Sequence, residues 1–363
     1  MATRRTASRT AARDRLAALR EALERHRLDA LLVSRPADVA YLSGFEGAGL
    51  LLCIRTRQHL ITDGRFETQA PREAPDFHLV LTKSGYNEAI AKTIRRSRAK
   101  RVGFEADHLT VGQYEDIRSR VGGTRLVSTR QIVGALRQVK DAGEIAALRR
   151  SVAISDRAFR RIRRFVRPGR TERQISVELQ RLLQAEGADR MAFEPIVASG
   201  PNAALPHAPI TGRKVRDRDM VKLDFGAQRD GYCSDLTRMV FVGRPTPKQR
   251  RVYRAVLEAQ RRAEGIVRPG VKAGEVDAAA RDYLRSVGLA DYFKHSLGHG
   301  VGRDVHEAPG LSSKSETELQ AGMVMTIEPG VYIEGWGGVR MEDMVLVTND
   351  GCEVLTQAPK VRV

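Results

Sequence analysis

Residues 220–243 read MVKLDFGAQRDGYCSDLTRMVFVG, two apolar runs on either side of an Asp-Gly pair at positions 230 and 231. An Asp-Gly pair between such runs is typical of the tight turn of a β-hairpin. Each run also carries an aspartate, Asp224 and Asp235, at nearly symmetric distances from the turn. We therefore predict a hairpin whose two carboxylates lie opposite or nearly opposite each other, about 5 Å apart at Cβ.

A second stretch repeats this arrangement near the C-terminus. Residues 323–347 read MVMTIEPGVYIEGWGGVRMEDMVLV, in which Glu328 and Glu342 lie symmetrically about Gly335. Carboxylates placed together repel each other, and burial raises their pKa unless a cation balances them. Two such hairpins would present four acids in need of positive charge.

Helix signals upstream of each hairpin are duplicated too. The tetrapeptide VRPG occurs at 166–169 and again at 267–270, and in each copy a further glycine follows after 18 residues, Gly187 or Gly288. Both VRPG runs lie between two helical patterns, and Thr-x-x-Gln capping signals begin at Thr171 and Thr246. Helix, VRPG, helix and glycine in the same order indicate an internal duplication.

The chain before about residue 139 has a different pattern. Four short apolar runs, 29–34, 49–54, 59–63 and 78–82, predict strands, and helical patterns are found near 8–27, at 87–99 and at 112–121. Asp141 and Glu144 then begin a new amphipathic helix. The predicted organisation is a basic, disordered tail over 1–11, an α/β domain over 12–138 and a second domain over 139–363.

Composition limits the classes of protein to consider. No stretch of the 363 residues approaches the roughly 20 apolar residues of a membrane span, and the basic N-terminus lacks the apolar run of a signal segment. We therefore expect a cytoplasmic protein that does not enter membranes. Three widely spaced cysteines predict neither disulfides nor a thiolate zinc site.

Charge raises the question of nucleic-acid binding. The net charge is +18 and the isoelectric point is near 10.3, and lysines and arginines that neutralise phosphates release counterions. The arginines are nevertheless scattered over helix faces, and aromatic residues, which would stack on single strands, make up only 5% of the chain. Nucleic acid is therefore not the expected partner.

Three of the eight histidines are found in HSLGHGVGRDVHEAP, residues 295–309. One imidazole beside the four carboxylates would form an oxygen-rich site suited to a hard or borderline divalent ion such as Mn²⁺. Two ions about 3.5–4 Å apart would neutralise the acids and hold a bridging hydroxide as nucleophile. Each acid alone is more typical of a turn or a solvated face, and it is the combination that favours a metal site.

Taken in order, VKLDFG, SDLTR, GHGVGRDVHEAP, TIEPG and VRMED resemble the motifs of the pita-bread-fold metallopeptidases (family M24), specifically the Xaa-Pro aminopeptidase and Xaa-Pro dipeptidase (prolidase) group. YLSGFEGAGLLL and LITDGRFETQA resemble the N-terminal domain of that group. The resemblance covers nearly the whole chain. It implies an α/β (α+β) protein with a creatinase-like N-terminal domain and a pita-bread catalytic domain with internal pseudo-twofold duplication.

The resemblance also implies a role for each matching residue. Asp224 would chelate the first metal ion, Asp235 and Glu342 would bridge both ions, and His299 and Glu328 would complete the second. Catalytic roles fall to His207 and His306, which would approach the scissile carbonyl, and to Glu328 as general base or proton shuttle. Residues expected to support these groups are His295, which orients the loop, Thr237, a hydrogen-bond donor on the face of Asp235, and Arg340, which would hold Glu342.

The implied activity is hydrolysis of the Xaa-Pro bond at the N-terminus of peptides or in dipeptides. Two divalent ions per chain are implied, with Mn²⁺ the first candidate and Co²⁺ or Zn²⁺ as alternatives, together with a homodimer. Two other interpretations stay open: a different amide hydrolase on the same fold, such as a methionine aminopeptidase-like enzyme, or a non-catalytic basic binding protein. The sequence does not assign a role to Arg303, nor does it distinguish dipeptides from longer substrates.

Overall fold

The computed structural model describes the backbone of residues 2–361 and the side chains of residues 11–361. The chain divides into two compact units, residues 1–137 and 138–363. This division lies one residue from the predicted boundary. The first helix extends over Ala2–Arg25, further toward the N-terminus than the helix predicted near 8–27, and the disordered tail proposed for residues 1–11 stays a prediction.

The first unit alternates helices and strands. Its helices are α1 (Ala2–Arg25), α2 (Pro36–Ser43), α3 (Ala70–Glu73), α4 (Tyr86–Ser97), α5 (Val111–Arg120) and α6 (Ile132–Gln138). Its strands are β1 (Ala30–Val33), β2 (Leu50–Ile54), β3 (Gln58–Asp63), β4 (His78–Thr82), β5 (Arg101–Glu105) and β6 (Arg125–Thr129). The four strands and the two later helices predicted here are confirmed within one or two residues, whereas β5, β6, α2, α3 and α6 were not predicted.

These strands form one mixed sheet in the order β4-β3-β2-β1-β5-β6. The hairpin pairs β1 with β2 and β2 with β3 are antiparallel, and the remaining neighbours are parallel. All four residues of β1 are buried, and alternate side chains enter two different apolar clusters, one on each face. A strand covered on both faces reads as a continuous apolar run, which is why DALLVS was recognisable from sequence.

The second unit contains α7 (Ala142–Ile162), α8 (Glu172–Ala185), α9 (Pro247–Glu264) and α10 (Ala273–Ser286). Short 3₁₀ turns lie at Gly200–Ala204 and Ala290–Tyr292. Its strands in the first half are β7 (Arg190–Met191), β8 (Ile196–Ser199), β9 (Met220–Phe225), β10 (Ala227–Arg229), β11 (Tyr232–Cys233) and β12 (Leu236–Phe241). In the second half they are β13 (Gly298–Gly300), β14 (Glu307–Leu311), β15 (Val324–Ile327), β16 (Gly330–Ile333), β17 (Gly337–Arg340), β18 (Asp343–Val347) and β19 (Cys352–Val354).

The helix pairs have matching termini in the two halves. Capping boxes open α7, α8 and α9, the last two at the predicted Thr171 and Thr246. The VRPG glycines have φ values of 88° at Gly169 and 85° at Gly270, both in the region that favours glycine. The two helix pairs pack against strands in two separate apolar cores. One core contains α7 and α8, and the other contains α9 and α10. The repeated helix, turn, helix and strand arrangement predicted from sequence is therefore present.

The hairpin at 220–243 forms, but its register differs from the prediction. Asp230 and Gly231 both have positive φ, as a two-residue type I′ turn requires. This turn is centred half a residue beyond Asp230, so β9 and β12 pair Asp224 with Thr237 rather than with Asp235. The two aspartates are therefore nearly opposite rather than directly opposite, offset by two residues, because their positions are centred one residue before the turn.

The second hairpin has the predicted register. Val331 pairs with Val339 across β16 and β17, and Ile327 pairs with Asp343 across β15 and β18. Both pairings are symmetric about Gly335, and so are Glu328 and Glu342. Glu328 lies between β15 and β16, and Glu342 lies opposite it between β17 and β18. The strands on either side fix both carboxylates.

The cysteines Cys53, Cys233 and Cys352 are free thiols. In the described part of the chain, none of the helices combines the length and the apolar character needed to cross a membrane. The buried apolar residues of the second unit lie mainly in the two cores between helices and sheets. The acidic residues of the two hairpins line a cavity instead.

The VRPG turns provide a test of the repeat. A Cβ at Gly169 would meet no atom within 4 Å, so Gly169→Ala should destabilise the protein through its positive φ alone, by about 1 kcal/mol. We expect the apparent melting temperature to fall by about 2 °C. Gly212→Ala is the matched control, because that site is equally open and its φ is not positive. If the melting temperature of Gly169→Ala equals or exceeds that of the control, the positive φ at Gly169 is not the reason for glycine at this turn.

Candidate metal centre

A cavity of about 550 Å³ opens in the second unit where the two hairpins converge. All the predicted site residues except Thr237 line it: His207, Asp224, Asp235, His295, His299, His306, Glu328, Arg340 and Glu342. Its walls also include Phe193, Glu194 and Ile196, which sequence reasoning missed. The predicted residues alone are up to 135 positions apart in the chain, from His207 to Glu342.

Three of these residues present their ligand atoms to one another. One donor atom each from Asp235, His299 and Glu342 lies within 4.8 Å of the others. His299 Nε2 is also 3.3 Å from Glu328 Oε1 and 3.6 Å from Asp235 Oδ2. Asp235 Oδ1 is buried and makes no hydrogen bond to any described residue. An orphaned carboxylate oxygen beside an imidazole nitrogen is suited to receiving a cation.

His299 lies on strand β13 rather than in a loop, and its ring orientation is fixed by the backbone. Its Nδ1 lies 3.1 Å from the carbonyl oxygen of Gly300, to which it can donate only as the Nδ1–H tautomer. Its own backbone N–H donates to Thr326 Oγ1 at 3.1 Å. These contacts leave Nε2 directed at the acids, as is usual for a metal-binding histidine.

Thr237 links both hairpins. Its hydroxyl donates to Glu342 Oε2 at 2.6 Å and accepts from Arg340 Nε at 3.0 Å. The Thr237 carbonyl also accepts the backbone N–H of Glu342 at 3.2 Å. Beside it, the buried Arg238 donates to the carbonyl of Glu342 and pairs with Asp343. The position of Glu342 therefore depends on residues of β12 from the other half of the duplication.

Arg340 contacts a different acid from the one expected. Its guanidinium pairs directly with Asp224 and reaches Glu342 only through the hydroxyl of Thr237. The expectation that Arg340 itself holds Glu342 was wrong, because Asp224 lies opposite Thr237 in the hairpin and so faces the same guanidinium. Arg340 also donates to the hydroxyl of Tyr332 at 3.0 Å.

His295 extends this network away from the acids. Its Nδ1 lies 2.7 Å from the Ser296 carbonyl and its Nε2 lies 2.9 Å from the Tyr332 hydroxyl. Burial lowers the pKa of His295, which favours the neutral ring that donates at Nδ1 and accepts the Tyr332 proton at Nε2. Tyr332 thus connects His295 to Arg340, a role that the sequence did not reveal.

The electrostatics of the carboxylates indicate a need for positive charge. Burial, together with the charge of neighbouring acids, raises the pKa of Asp235 and of Glu342 well above the usual range. Burial also raises the pKa of Asp224, although Arg340 opposes the shift. Glu328 is the exception: burial works against its ionised form, but hydrogen bonding and charge from His299 hold its pKa at about 2. A divalent cation would stabilise the ionised form of all four acids.

Lys222, which sequence reasoning also missed, anchors the residues that precede His207. This lysine is fully buried on β9, and its ammonium donates to the carbonyls of Leu205 and Pro206 at 2.6 and 3.0 Å. Arg340 donates to the Pro206 carbonyl as well, at 3.2 Å. Lys222 is two residues before Asp224, so the two-residue strand period gave a signal that could have identified it.

His306 also lines the cavity, with its ring centre 4.2 Å from that of His299. Burial and the charge of His299 lower its pKa, which favours a neutral imidazole. Arg303, to which the sequence assigned no role, lies over the ring of Tyr232 at 5.2 Å and is not among the residues that line this cavity.

Comparison with known proteins agrees with this geometry. Residues 146–349 match the model of metallopeptidase family M24, and residues 15–139 match the creatinase/prolidase N-terminal domain. The chain belongs to metallopeptidase family M24. Membership implies divalent metal ions, and the donor set described above fits them. It also confirms the fold class, since this two-domain arrangement is the one predicted from the motifs.

Members of family M24 with known structures resemble the chain over nearly its full length. An Xaa-Pro dipeptidase from Bacillus anthracis is 38% identical, with a TM-score of 0.94 over 97% of this chain and 99% of that one. An X-Pro aminopeptidase from Thermotoga maritima is 36% identical, with a TM-score of 0.86 over 92% of this chain and 97% of that one. The Xaa-Pro dipeptidase of Pyrococcus furiosus is 33% identical over 355 residues, 96% of this chain and 99% of the relative.

Thr237 provides a test of the ligand support in this M24 chain. Thr237→Val removes the hydroxyl that orders Glu342 while it preserves the shape of the side chain, and it should weaken metal binding about 10–100-fold. Thr237→Ser keeps the hydroxyl and is expected to bind metal nearly as the wild type does. Titration with Mn²⁺ followed by calorimetry gives both affinities. Equal affinities for the valine and serine variants would show that the hydroxyl does not support the ligand.

Proposed function

We propose that this chain hydrolyses the Xaa-Pro bond at the N-terminus of peptides or in dipeptides. The observation that carries the proposal is the convergence of Asp235, His299 and Glu342 donor atoms within 4.8 Å, in a chain whose relatives include Xaa-Pro dipeptidases and an X-Pro aminopeptidase. Both kinds of relative cleave a bond that precedes proline, so the proposal covers both lengths of substrate.

The proposed cofactor is a pair of divalent ions. Asp224, Asp235 and Glu342 would hold the first ion, and Asp235, His299, Glu328 and Glu342 would hold the second, so that Asp235 and Glu342 serve both. Mn²⁺ is the preferred candidate because the donors are carboxylates with one imidazole, and Co²⁺ and Zn²⁺ are the alternatives. The buried, orphaned Asp235 Oδ1 supports this assignment.

When bound, such ions lower the pKa of water and polarise the scissile carbonyl. The protein supplies the positioning. Arg340 and Thr237 fix Asp224 and Glu342 on one side, and the Gly300 carbonyl fixes His299 on the other. Glu328 is the proposed proton acceptor. The lowered pKa of Glu328 keeps its carboxylate ionised. Because the ions would lower the pKa of water as well, a weakly basic carboxylate would suffice to take a proton from water and pass it toward the leaving imide nitrogen.

His207 and His306 both line the cavity and are the proposed substrate contacts. A neutral imidazole can donate one N–H to the carbonyl oxygen of the bond that is cleaved, where negative charge develops. Lys222 and Arg340 hold the carbonyl of Pro206, the residue before His207, and so fix the main chain that carries this ring. His306 lies beside His299.

The preference for proline is assigned to the shape of the cavity. The peptide bond before proline has no N–H, so a site that relied on that donor would not favour it. Phe193 and Ile196 provide apolar walls beside the metal centre, and an apolar pocket of this kind suits the pyrrolidine ring. A methionine aminopeptidase-like activity and a non-catalytic binding role are not favoured by the relatives described above. A homodimer and a cytoplasmic location stay predictions.

A substrate panel tests the proposal directly. With added Mn²⁺, the protein should release the first residue from an Xaa-Pro dipeptide or from an Xaa-Pro-Yaa peptide, and the corresponding Xaa-Ala substrates should be cleaved far more slowly. Chelation should abolish the activity and Mn²⁺ should restore it. Liberated amino acid is measured by chromatography. Preferential cleavage of a Met-Ala peptide would instead support the methionine aminopeptidase-like alternative.

Two variants separate metal binding from substrate contact. Glu342→Ala should remove metal and activity together, since it deletes a ligand. His306→Ala should keep the metal content and lower turnover by about 10²–10³-fold, the usual effect of removing a donor to the developing oxyanion. Elemental analysis alongside kcat gives both quantities. Loss of metal from His306→Ala would assign that residue to the ligands.

A further inference from the structure

A second cavity, of about 680 Å³, lies wholly within the first unit. It is a groove between α4 and the end of the sheet formed by β3 and the edge strand β4. Part of its lining is apolar, from Ile54, Val80, Leu81 and Ala89, and the rest is polar and largely basic. Its volume falls in the range of about 300–1,000 Å³ that is typical of small-molecule sites.

The groove concentrates unpaired positive charge. Arg57, Lys83, Lys92 and Arg96 all line it, and Glu88 is the only acid among its lining residues. Within the described residues, none of the four cationic side chains makes an ion pair or a hydrogen bond. Other exposed arginines of the same unit do have carboxylate partners, for example Arg65 with Asp63 and Arg120 with Asp116. Arg118 of the same unit is exposed and has no ion pair either, so what distinguishes the four cations is that they line one cavity together.

Two histidines form part of the groove wall. His59 and His78 are directly paired across the parallel strands β3 and β4, with their rings edge to face at 5.2 Å. His59 Nδ1 is buried and makes no hydrogen bond within the described residues. Burial, with the nearby His78 and Arg57, lowers the pKa of His59. Because this nitrogen is closed to solvent, the histidine pair contributes its ring surfaces to the groove wall, and the cations carry the recognition of an anion.

We propose that this groove binds a small molecule that carries a diphosphate group. Four cations opposed by one carboxylate match a ligand with about three negative charges, which a nucleoside diphosphate carries near neutral pH. Arginine pairs with phosphate oxygens through two parallel hydrogen bonds and lysine through a point charge. Because the cavity is larger than a bare diphosphate needs, the apolar wall takes the organic part of the ligand.

The groove is separate from the candidate metal centre, so the inference does not rest on the proposed peptidase activity. The two sites share no lining residue. Binding here is therefore measured without a peptide substrate, and its failure would leave the peptidase proposal intact.

The test is calorimetric titration of the full-length protein with ADP, without added Mg²⁺. Wild type should bind ADP, should bind inorganic phosphate more weakly, and should show no binding of adenosine at the same concentrations. Arg96→Gln should weaken ADP binding about tenfold or more, because a charge-assisted contact to phosphate is lost. Arg118→Gln is the matched control, an exposed arginine of α5 outside the groove, and should bind ADP as wild type does.

Four results would overturn the proposal. Equal ADP affinity in Arg96→Gln and Arg118→Gln would place the nucleotide elsewhere, for instance at the metal centre. Adenosine binding as tightly as ADP would show that the groove does not recognise phosphate. Inorganic phosphate binding as tightly as ADP would show that the organic part of the ligand makes no contribution to binding. A short DNA duplex that displaces ADP with higher affinity would identify a nucleic-acid surface instead. Lys92→Gln repeats the test at a second cation should Arg96→Gln fold poorly.

Discussion

The second unit depends on one electrostatic constraint: four carboxylates are buried where like charges repel. The repulsion and the loss of solvent are visible in the raised pKa values of Asp224, Asp235 and Glu342. The protein offsets part of this cost with Arg340 on Asp224 and His299 on Glu328. Burying charges without full compensation destabilises a fold, so such a cluster is retained only where the chemistry uses it. The need for an ion follows from this constraint.

The duplicated architecture explains how so many acids reach one place. Each half contributes one hairpin with a pair of carboxylates, and each hairpin is backed by its own helix pair and core. The first half supplies aspartates and the second supplies glutamates, whose side chains are one methylene longer. His299 on β13 adds the imidazole from a strand that pairs with β15 next to Glu328. The site is thus built on regular strands, and rigid elements of this kind hold ligands more precisely than loops do.

Sequence reasoning succeeded where local chemistry is decisive. The caps at Thr171 and Thr246, the Asp-Gly turn and the apolar run of β1 all depend on residues close together in the chain. It failed where a residue acts across the fold. The register of β9 with β12 was misjudged by taking the aspartates rather than the turn as the centre of symmetry. Separately, Arg340 was assigned to Glu342 because the two residues are two positions apart in the chain, whereas its guanidinium pairs with Asp224 of the other hairpin. Tyr332 and Lys222 were missed because their partners, His295 and the Pro206 carbonyl, are distant in sequence.

The strands β5 and β6 were missed for a different reason. Each begins with an arginine and has only two large apolar residues, RVGFE and RLVST, too few to distinguish a short strand from a loop by sequence. They are strands because β1 offers a parallel edge on which they add in turn, which is a tertiary effect.

Arg238 and the backbone link between Thr237 and Glu342 have a further consequence. These contacts join the two hairpins through protein atoms alone: a main-chain hydrogen bond, and a buried guanidinium that grips the Glu342 carbonyl and Asp343. None of these three contacts uses a side-chain oxygen of Glu342, so they leave its carboxylate available to a ligand. A substitution that removed the Arg238 guanidinium would therefore shift the main chain beneath Glu342 although Arg238 itself is not one of the proposed metal ligands.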